Sequence, residues 1–129
     1  MTEKAATAIV VDDDIDTVEL FSEYLELQGI KVLAKAFDGK EAVELYKKWK
    51  PDISFLDVMM PHYDGVFALR GIRQLNPLAK IIMVTADLTS DTARRLENSG
   101  AMAVVYKPFE FEEIMSTIAK LATSNSVTM

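Results

Sequence analysis

Five side chains of this sequence could do chemistry together if the fold brought them to one place: Asp12, Asp13, Asp57, Thr85 and Lys107. Each stands at the end of a short apolar run. Asp12 and Asp13 follow Ala8 to Val11, Asp57 follows Ile53 to Leu56, Thr85 closes the run from Lys80, and Lys107 follows Met102 to Tyr106. Runs of this length, rich in β-branched residues, read as buried strands. Like charges held close together disfavour ionisation, so several carboxylates need help to share a site. Lys107 offers one positive charge, and a divalent cation offers more. Hard oxygen donors without sulfur or imidazole suit Mg2+, which takes one or two carboxylates and keeps several waters. The remaining carboxylate, or one of the ligands, could act as a nucleophile and accept a phosphoryl group to give an acyl phosphate. The rest of such chemistry is positioning and charge neutralisation, here by the cation, Lys107 and the Thr85 hydroxyl.

The elements that must position these residues alternate regularly. After Asp14 the period becomes helical, with Ile15, Val18, Phe21 and Leu25 on one stripe and Gly29 as the stop. Lys31 to Ala36 reads as a weaker strand. A turn at Asp38-Gly39 leads to a helix marked by Ala42, Val43, Tyr46 and Trp49 and ended by Pro51. Val66, Leu69, Ile72 and Arg73 mark a helix ended by Asn76-Pro77. Asp91 to Ser99 is a polar helix with Ala93 and Leu96 as its apolar anchors, closed by Gly100. Ile114, Ile118 and Leu121 carry a last helix, and residues 123–129 read as a polar tail. The pattern is (βα) repeated five times, an α/β protein whose strands should run parallel through right-handed crossovers. All strand ends then lie along one edge, where open α/β sheets bind their ligands. The five side chains converge by topology.

Composition narrows the classes. A chain of 129 residues is expected to form a single domain. The formal net charge of −6, from 14 basic and 20 acidic residues, argues against direct nucleic-acid binding and against an anionic membrane surface. There is no cysteine, and His62 is the only histidine, so thiolate and multi-histidine metal sites are excluded. His62 reads as a solvated loop residue. No signal-like apolar core and no run of membrane-spanning length is present, and a cytoplasmic setting is expected.

The stretches VVDD (Val10 to Asp13), PDISFLDVMMPHYDG (Pro51 to Gly65), VTA (Val84 to Ala86) and KPF (Lys107 to Phe109) occur in this order at the tips of strands 1, 3, 4 and 5. Together they resemble the receiver domain of two-component response regulators, over residues 8–122. The resemblance implies a three-layer, doubly wound (βα)5 parallel sheet of the flavodoxin-like kind, with strand order 2-1-3-4-5. It implies that Asp57 is the phosphoacceptor, supplied by a sensor histidine kinase or a phosphotransfer protein. It further implies that Asp13 binds Mg2+ directly, that Asp12 helps to hold the ion, and that Asp57 and the backbone carbonyl of Met59 complete its ligands. Thr85 would bond the arrived phosphoryl group and Lys107 would pair with it. Such a domain is not an enzyme in the usual sense; it promotes only its own phosphorylation and dephosphorylation. Met59 and Asp87 would flank the phosphoryl group and tune its lifetime. The output face would lie around helix 4, strand 5 and helix 5, with Arg94 and Arg95 as candidate contacts for a downstream protein partner. No output domain follows Ala122, which leaves a free-standing receiver and a piece of a longer chain equally open.

The sequence departs from the family at Val104, where many receivers carry Tyr or Phe three residues before the lysine. Tyr106, on the same strand face, is a candidate substitute in the output switch; packing at the rim is the plainer reading. Three other readings compete. Asp14 to Val18 (DIDTV) resembles the aspartate motif of haloacid-dehalogenase-like phosphohydrolases, which would make Asp14 the nucleophile. Against it, Asp14 follows two earlier acids and suits a helix N-cap, as Asp16 suits a first turn. An EF-hand spacing from Asp12 to Glu23 lacks the glycine at its sixth position, where Thr17 stands. A non-phosphorylated pseudo-receiver would lack one of the key groups, and none is missing.

Overall fold

The alternation of apolar runs and amphipathic stripes is realised as five βα units. In the computed structural model, residues 6–127 are described apart from 88, 98 and 109, so Phe109, the first five residues and the last two lie outside the description. The elements are β1 (Thr7–Val11), α1 (Ile15–Leu27), β2 (Lys31–Ala36), α2 (Gly39–Trp49), β3 (Ile53–Asp57), α3 (Gly65–Leu75), β4 (Lys80–Thr85), α4 (Ser90–Glu97), β5 (Ala103–Tyr106) and α5 (Phe111–Val127). All strand pairs are parallel, in the order β2-β1-β3-β4-β5. The chain therefore has the doubly wound arrangement expected.

Strand alternation divides the core into two halves. Ile9, Val11, Leu56, Ile81 and Met83 face α2, α3 and α4, where they meet Tyr46, Leu69, Ile72 and Leu96. Val10, Phe55 and Ile82 face α1 and α5, where they meet Val18, Phe21, Leu25 and Ile114. β1, β3 and β4 are buried nearly throughout, which is why their sequences are continuous apolar runs and not alternating ones. Aromatic contacts lock the second half. The Phe21 ring lies 5.0 Å from Phe55 and 6.1 Å from Phe111, while Tyr24 stacks on Phe111 at 4.2 Å. These fix the first turn of α5 against α1 and β3, directly below the strand tips.

Several details differ from the sequence reading. Ile15 is 64% exposed, because it is the first residue of α1 and the helix meets the sheet only from Val18 onward; Ser22 joins the buried face instead. Trp49, the last residue of α2, is exposed, with the Lys48 ammonium 5.2 Å from its ring. The helix α5 continues to Val127, so residues 123–127 are helical where a tail was expected; no Gly or Pro occurs between 111 and 127 to stop it. Arg73, placed by spacing on the stripe of α3, instead donates to the carbonyls of Pro77, Ala79 and Gly100. Burial of this guanidinium lowers its pKa from the ordinary value. It ties the end of α3 to the start of β4 and to the turn before β5.

The loop between β3 and α3 is held close to the strand. Gly65 N–H donates to Val58 O at 3.1 Å, and a Cβ at Gly65 would land on the Asp57 carbonyl oxygen. Backbone cannot yield there as a flexible side chain could. Gly65→Ala is expected to destabilise the fold by about 1–3 kcal/mol, the usual cost of overpacking. Urea unfolding of the two proteins measures it, and equal midpoints would contradict the close approach.

Candidate functional site

The site is built by strand register. Val11 pairs with Leu56, which sets Asp12 beside Asp57. Asp57 pairs with Val84, so Thr85 stands one step further along. Thr85 pairs with Tyr106, which puts Lys107 next. Side-chain alternation then sorts these residues by face. Asp57 follows the direction of Phe55, toward α1 and α5, while Thr85 follows Met83 toward α4.

Asp12, Asp13 and Asp57 offer carboxylate oxygens that all lie within 4.8 Å of one another. Asp12 and Asp57 are only 5% and 6% exposed, whereas Asp13 is open to solvent. The Lys107 ammonium donates to Asp12 Oδ2 at 2.8 Å and lies 3.5 Å from Asp57 Oδ1. The Lys107–Pro108 peptide is cis. Asp12 Oδ1 accepts the Asp14 N–H at 3.0 Å, which turns the chain into α1. Sequence reasoning placed these residues at one edge, and the structure brings them within contact.

The electrostatics are strained in one direction. Burial, followed by the charge of Asp12, pushes the Asp57 carboxyl up from 3.8 to about 7, although Lys107 pulls the other way. Burial alone would lower the Lys107 pKa, but its bonds to Asp12 and Asp57 outweigh that and raise it. One ammonium thus leaves Asp57 incompletely compensated. The donor set is entirely carboxylate oxygen around this deficit, and it fits a hard divalent cation such as Mg2+.

The other residues singled out from sequence fall around this centre. Asp14 is the N-cap residue of α1 and is exposed; its carboxylate accepts the Thr17 hydroxyl and lies outside the acid cluster, which leaves the phosphohydrolase reading without support. Met59 and His62 are exposed on the loop after β3. Val104 is half-buried against the α2–α4 side of the core, and Tyr106 is exposed at its rim. Thr85 is fully buried, and its Oγ1 accepts the Asp87 N–H at 3.0 Å. The Asp87 carboxylate is engaged by the start of α4. Hydrogen bonds from the Thr92 hydroxyl and the Thr89 N–H hold its carboxyl below the usual range.

Two links went unread in the sequence. Arg95 forms an ion pair with Asp64 at 3.0 Å, and Asp64 also caps α3 by accepting the Phe67 N–H. Thr92 reaches Asp87 across the first turn of α4. Asp87-Leu88-Thr89 has the spacing of a side chain bonding its own backbone two residues on, which was an available signal; the Arg95 pairing had none. A cavity of about 860 Å3 lies at the opposite end of the sheet, lined by Tyr46, Lys50, Ile53, Leu75 and Lys80. It is separate from the acid cluster.

A family model described as the response regulator receiver domain matches residues 8–119. The probable C4-dicarboxylate response regulator DctR of Priestia megaterium is 34% identical over 119 residues, covering 92% of this chain and 52% of its own length. The chemotaxis protein CheY of Bacillus subtilis is 33% identical over 112 residues, covering 87% of this chain and 93% of its own. The chain thus spans about half of the first relative and nearly all of the second. Among solved structures, CheY in the CheX-CheY-BeF3-Mg+2 complex from Borrelia burgdorferi superposes with a TM-score of 0.84 at 27% identity, over 90% of this chain and 88% of that one.

The electrostatics yield a test without any metal. Unfolded Asp57 loses its proton near 3.8 and folded Asp57 near 7, so between those values the folded state holds the extra proton and stability falls as pH rises. Asp57→Asn removes that cost. In chelator-treated buffer the variant is expected to exceed wild type by up to about 4 kcal/mol at pH 8 and to lose the advantage toward pH 4. Denaturant titrations at several pH values measure this, and a difference that does not change with pH would contradict it.

Proposed function

The chain belongs to the response regulator receiver domain family, and we propose that it works by accepting a phosphoryl group on Asp57. The donor is the phosphohistidine of a sensor histidine kinase or of a phosphotransfer protein. The reading rests on one observation above all: a buried carboxylate, Asp57, ends a strand beside two other acids and one ammonium.

In the transfer an Asp57 oxygen attacks phosphorus, an O–P bond forms and the N–P bond to histidine breaks. The imidazole leaves with the bonding electron pair and takes up a proton from solvent. Asp57 must be ionised to attack, and its environment resists ionisation, so the positive charges of the site prepare the nucleophile. Mg2+ held by Asp12, Asp13, Asp57 and the backbone carbonyl of Met59 would supply most of that charge and neutralise the phosphoryl oxygens. Lys107, oriented by its 2.8 Å bond to Asp12, is free to pair with a phosphoryl oxygen. The Thr85 hydroxyl donates to another. Water attacking the acyl phosphate later returns Asp57 to a carboxylate and releases inorganic phosphate. Met59, exposed on the loop after Asp57, tunes how readily that water approaches.

Receiver domains are signalling modules. Phosphorylation is read as shifting an equilibrium between two conformations, with the output face on α4, β5 and α5, where Tyr106 stands exposed. The partner there is a downstream protein, as the Borrelia burgdorferi relative is bound to CheX, or an output domain of the kind the longer relatives have room for. Among the described residues no helix is long and apolar enough to cross a membrane. A cytoplasmic setting without direct nucleic-acid contact fits the acidic chain.

Incubation with Mg2+ and acetyl phosphate is expected to give an acid-stable, base-labile phosphoryl group on Asp57, found by mass spectrometry of the peptide. Chelation or Asp57→Asn abolishes it, and Lys107→Met slows it by at least about tenfold, the loss of one charge-assisted contact. Labelling that survives Asp57→Asn would overturn the assignment.

A further inference from the structure

Thr85 and the charged groups of the site point to opposite faces of the sheet, so Thr85 looks toward α4. There its Oγ1 accepts the Asp87 N–H, and no acceptor for its own proton occurs among the described residues. The hydroxyl is therefore oriented as an acceptor and left free to donate. Asp87 in turn accepts the Thr89 N–H on Oδ1 at 2.9 Å and the Thr92 hydroxyl on Oδ2 at 2.6 Å. Thr92 is 4% exposed, on the inner face of a helix whose other buried side chain, among those described, is Leu96. A hydroxyl in that place costs stability unless it is bonded, and its partner here is the carboxylate of the residue whose amide holds Thr85.

We propose that Thr92, acting through Asp87, is a positioning residue for the Thr85 hydroxyl and fastens the first turn of α4 to the phosphorylation site. The proposal rests on the reading of Asp57 as phosphoacceptor. When Thr85 donates its proton to a phosphoryl oxygen, its oxygen becomes a better acceptor, and the bond from Asp87 N–H tightens. Asp87 is held by Thr89 and Thr92, so the turn that carries them is drawn with it. A second contact holds the same helix to the loop after β3, since Arg95, one turn on from Thr92, pairs with Asp64 at the entrance to α3. α4 is thus attached by polar contacts that begin at the strand tips, and it can respond to phosphorylation with valine at position 104.

A double-mutant cycle tests the relay. Thr92→Val keeps the shape and removes the hydroxyl. It is expected to lower the rate of Asp57 phosphorylation by acetyl phosphate by about fivefold, the loss of one hydrogen bond's positioning. Thr92→Ser is expected to restore the rate to within about twofold. In the Thr85→Ala background Thr92→Val should have no further effect, because the group it positions is gone. Hydrogen exchange at the start of α4 should slow on phosphorylation in wild type and Thr92→Ser but not in Thr92→Val. A wild-type rate in Thr92→Val, or equal effects of Thr92→Val with and without Thr85, would overturn the proposal. If Thr92→Val does not fold, Asp87→Ala carries the same cycle with the same criteria. Absence of label on wild-type Asp57 would instead remove the underlying reading, so the two failures are distinguishable.

Discussion

The crowding of Asp12, Asp13 and Asp57 at one strand edge is the constraint on which the rest of the structure turns. Two of the three are buried, and a single ammonium bridges them. An arrangement chosen for stability alone would not place buried carboxylates side by side, since their mutual repulsion and desolvation raise the free energy of the ionised fold. The push on Asp57 to about 7 is the record of that cost. Incoming positive charge relieves it, and so does a reaction that engages one of the carboxylate oxygens. The site is therefore poised toward its ligands by its own electrostatics. The two core halves and the aromatic contacts of Phe21 with Phe55 and Phe111 supply the rigidity that keeps the acids together.

The parallel sheet performs a second separation. Its alternation sends Asp57 toward α1 and α5, and Thr85 toward α4. Charge-handling groups and the one neutral donor thus approach the same tip from opposite sides of the pleat. β3 and β4, buried along nearly their whole length, hold the two groups in fixed positions. What can move is what the tips hold by polar contact: the loop after β3, stapled by Gly65 and Asp64, and the start of α4, stapled by Asp87.

Most of this was legible in the sequence where a single residue type ended an apolar run. Asp12, Asp57, Thr85 and Lys107 stood out because a buried strand has no other reason to end on such groups at four tips, and topology did the rest. Strand order was not legible from periodicity, and came from resemblance to a family. The misplacements have local causes. Ile15 satisfied the helical spacing but precedes the point where α1 touches the sheet, and the stripe of α2 outlasted the core at Trp49. Residues 123–126 are all polar, yet the helix continues through them to Val127 with no Gly or Pro to interrupt it. Arg73 and Arg95 were illegible for one shared reason: each acts through a partner distant in sequence or on a backbone carbonyl, and no spacing rule encodes such a partner; Thr92 meets a side chain only five residues back, but one that lies before its helix begins.

The substitution at Val104 gains its meaning from these contacts. An aromatic ring reports on a threonine by moving into the space it vacates, which requires a cavity and a rotamer change. A valine, half-buried against the α2–α4 side of the core, has no ring to move. Hydrogen bonds supply a different coupling, because they pass direction and polarity along without needing room to move. In this chain the inner surface of α4 carries a buried threonine where packing alone would call for an aliphatic residue, and its hydroxyl meets the residue that holds Thr85. Val104 and Thr92 both face the space between the sheet and α4, and the polar link from Thr92 through Asp87 to Thr85 runs through the start of that helix without involving the ring of Tyr106.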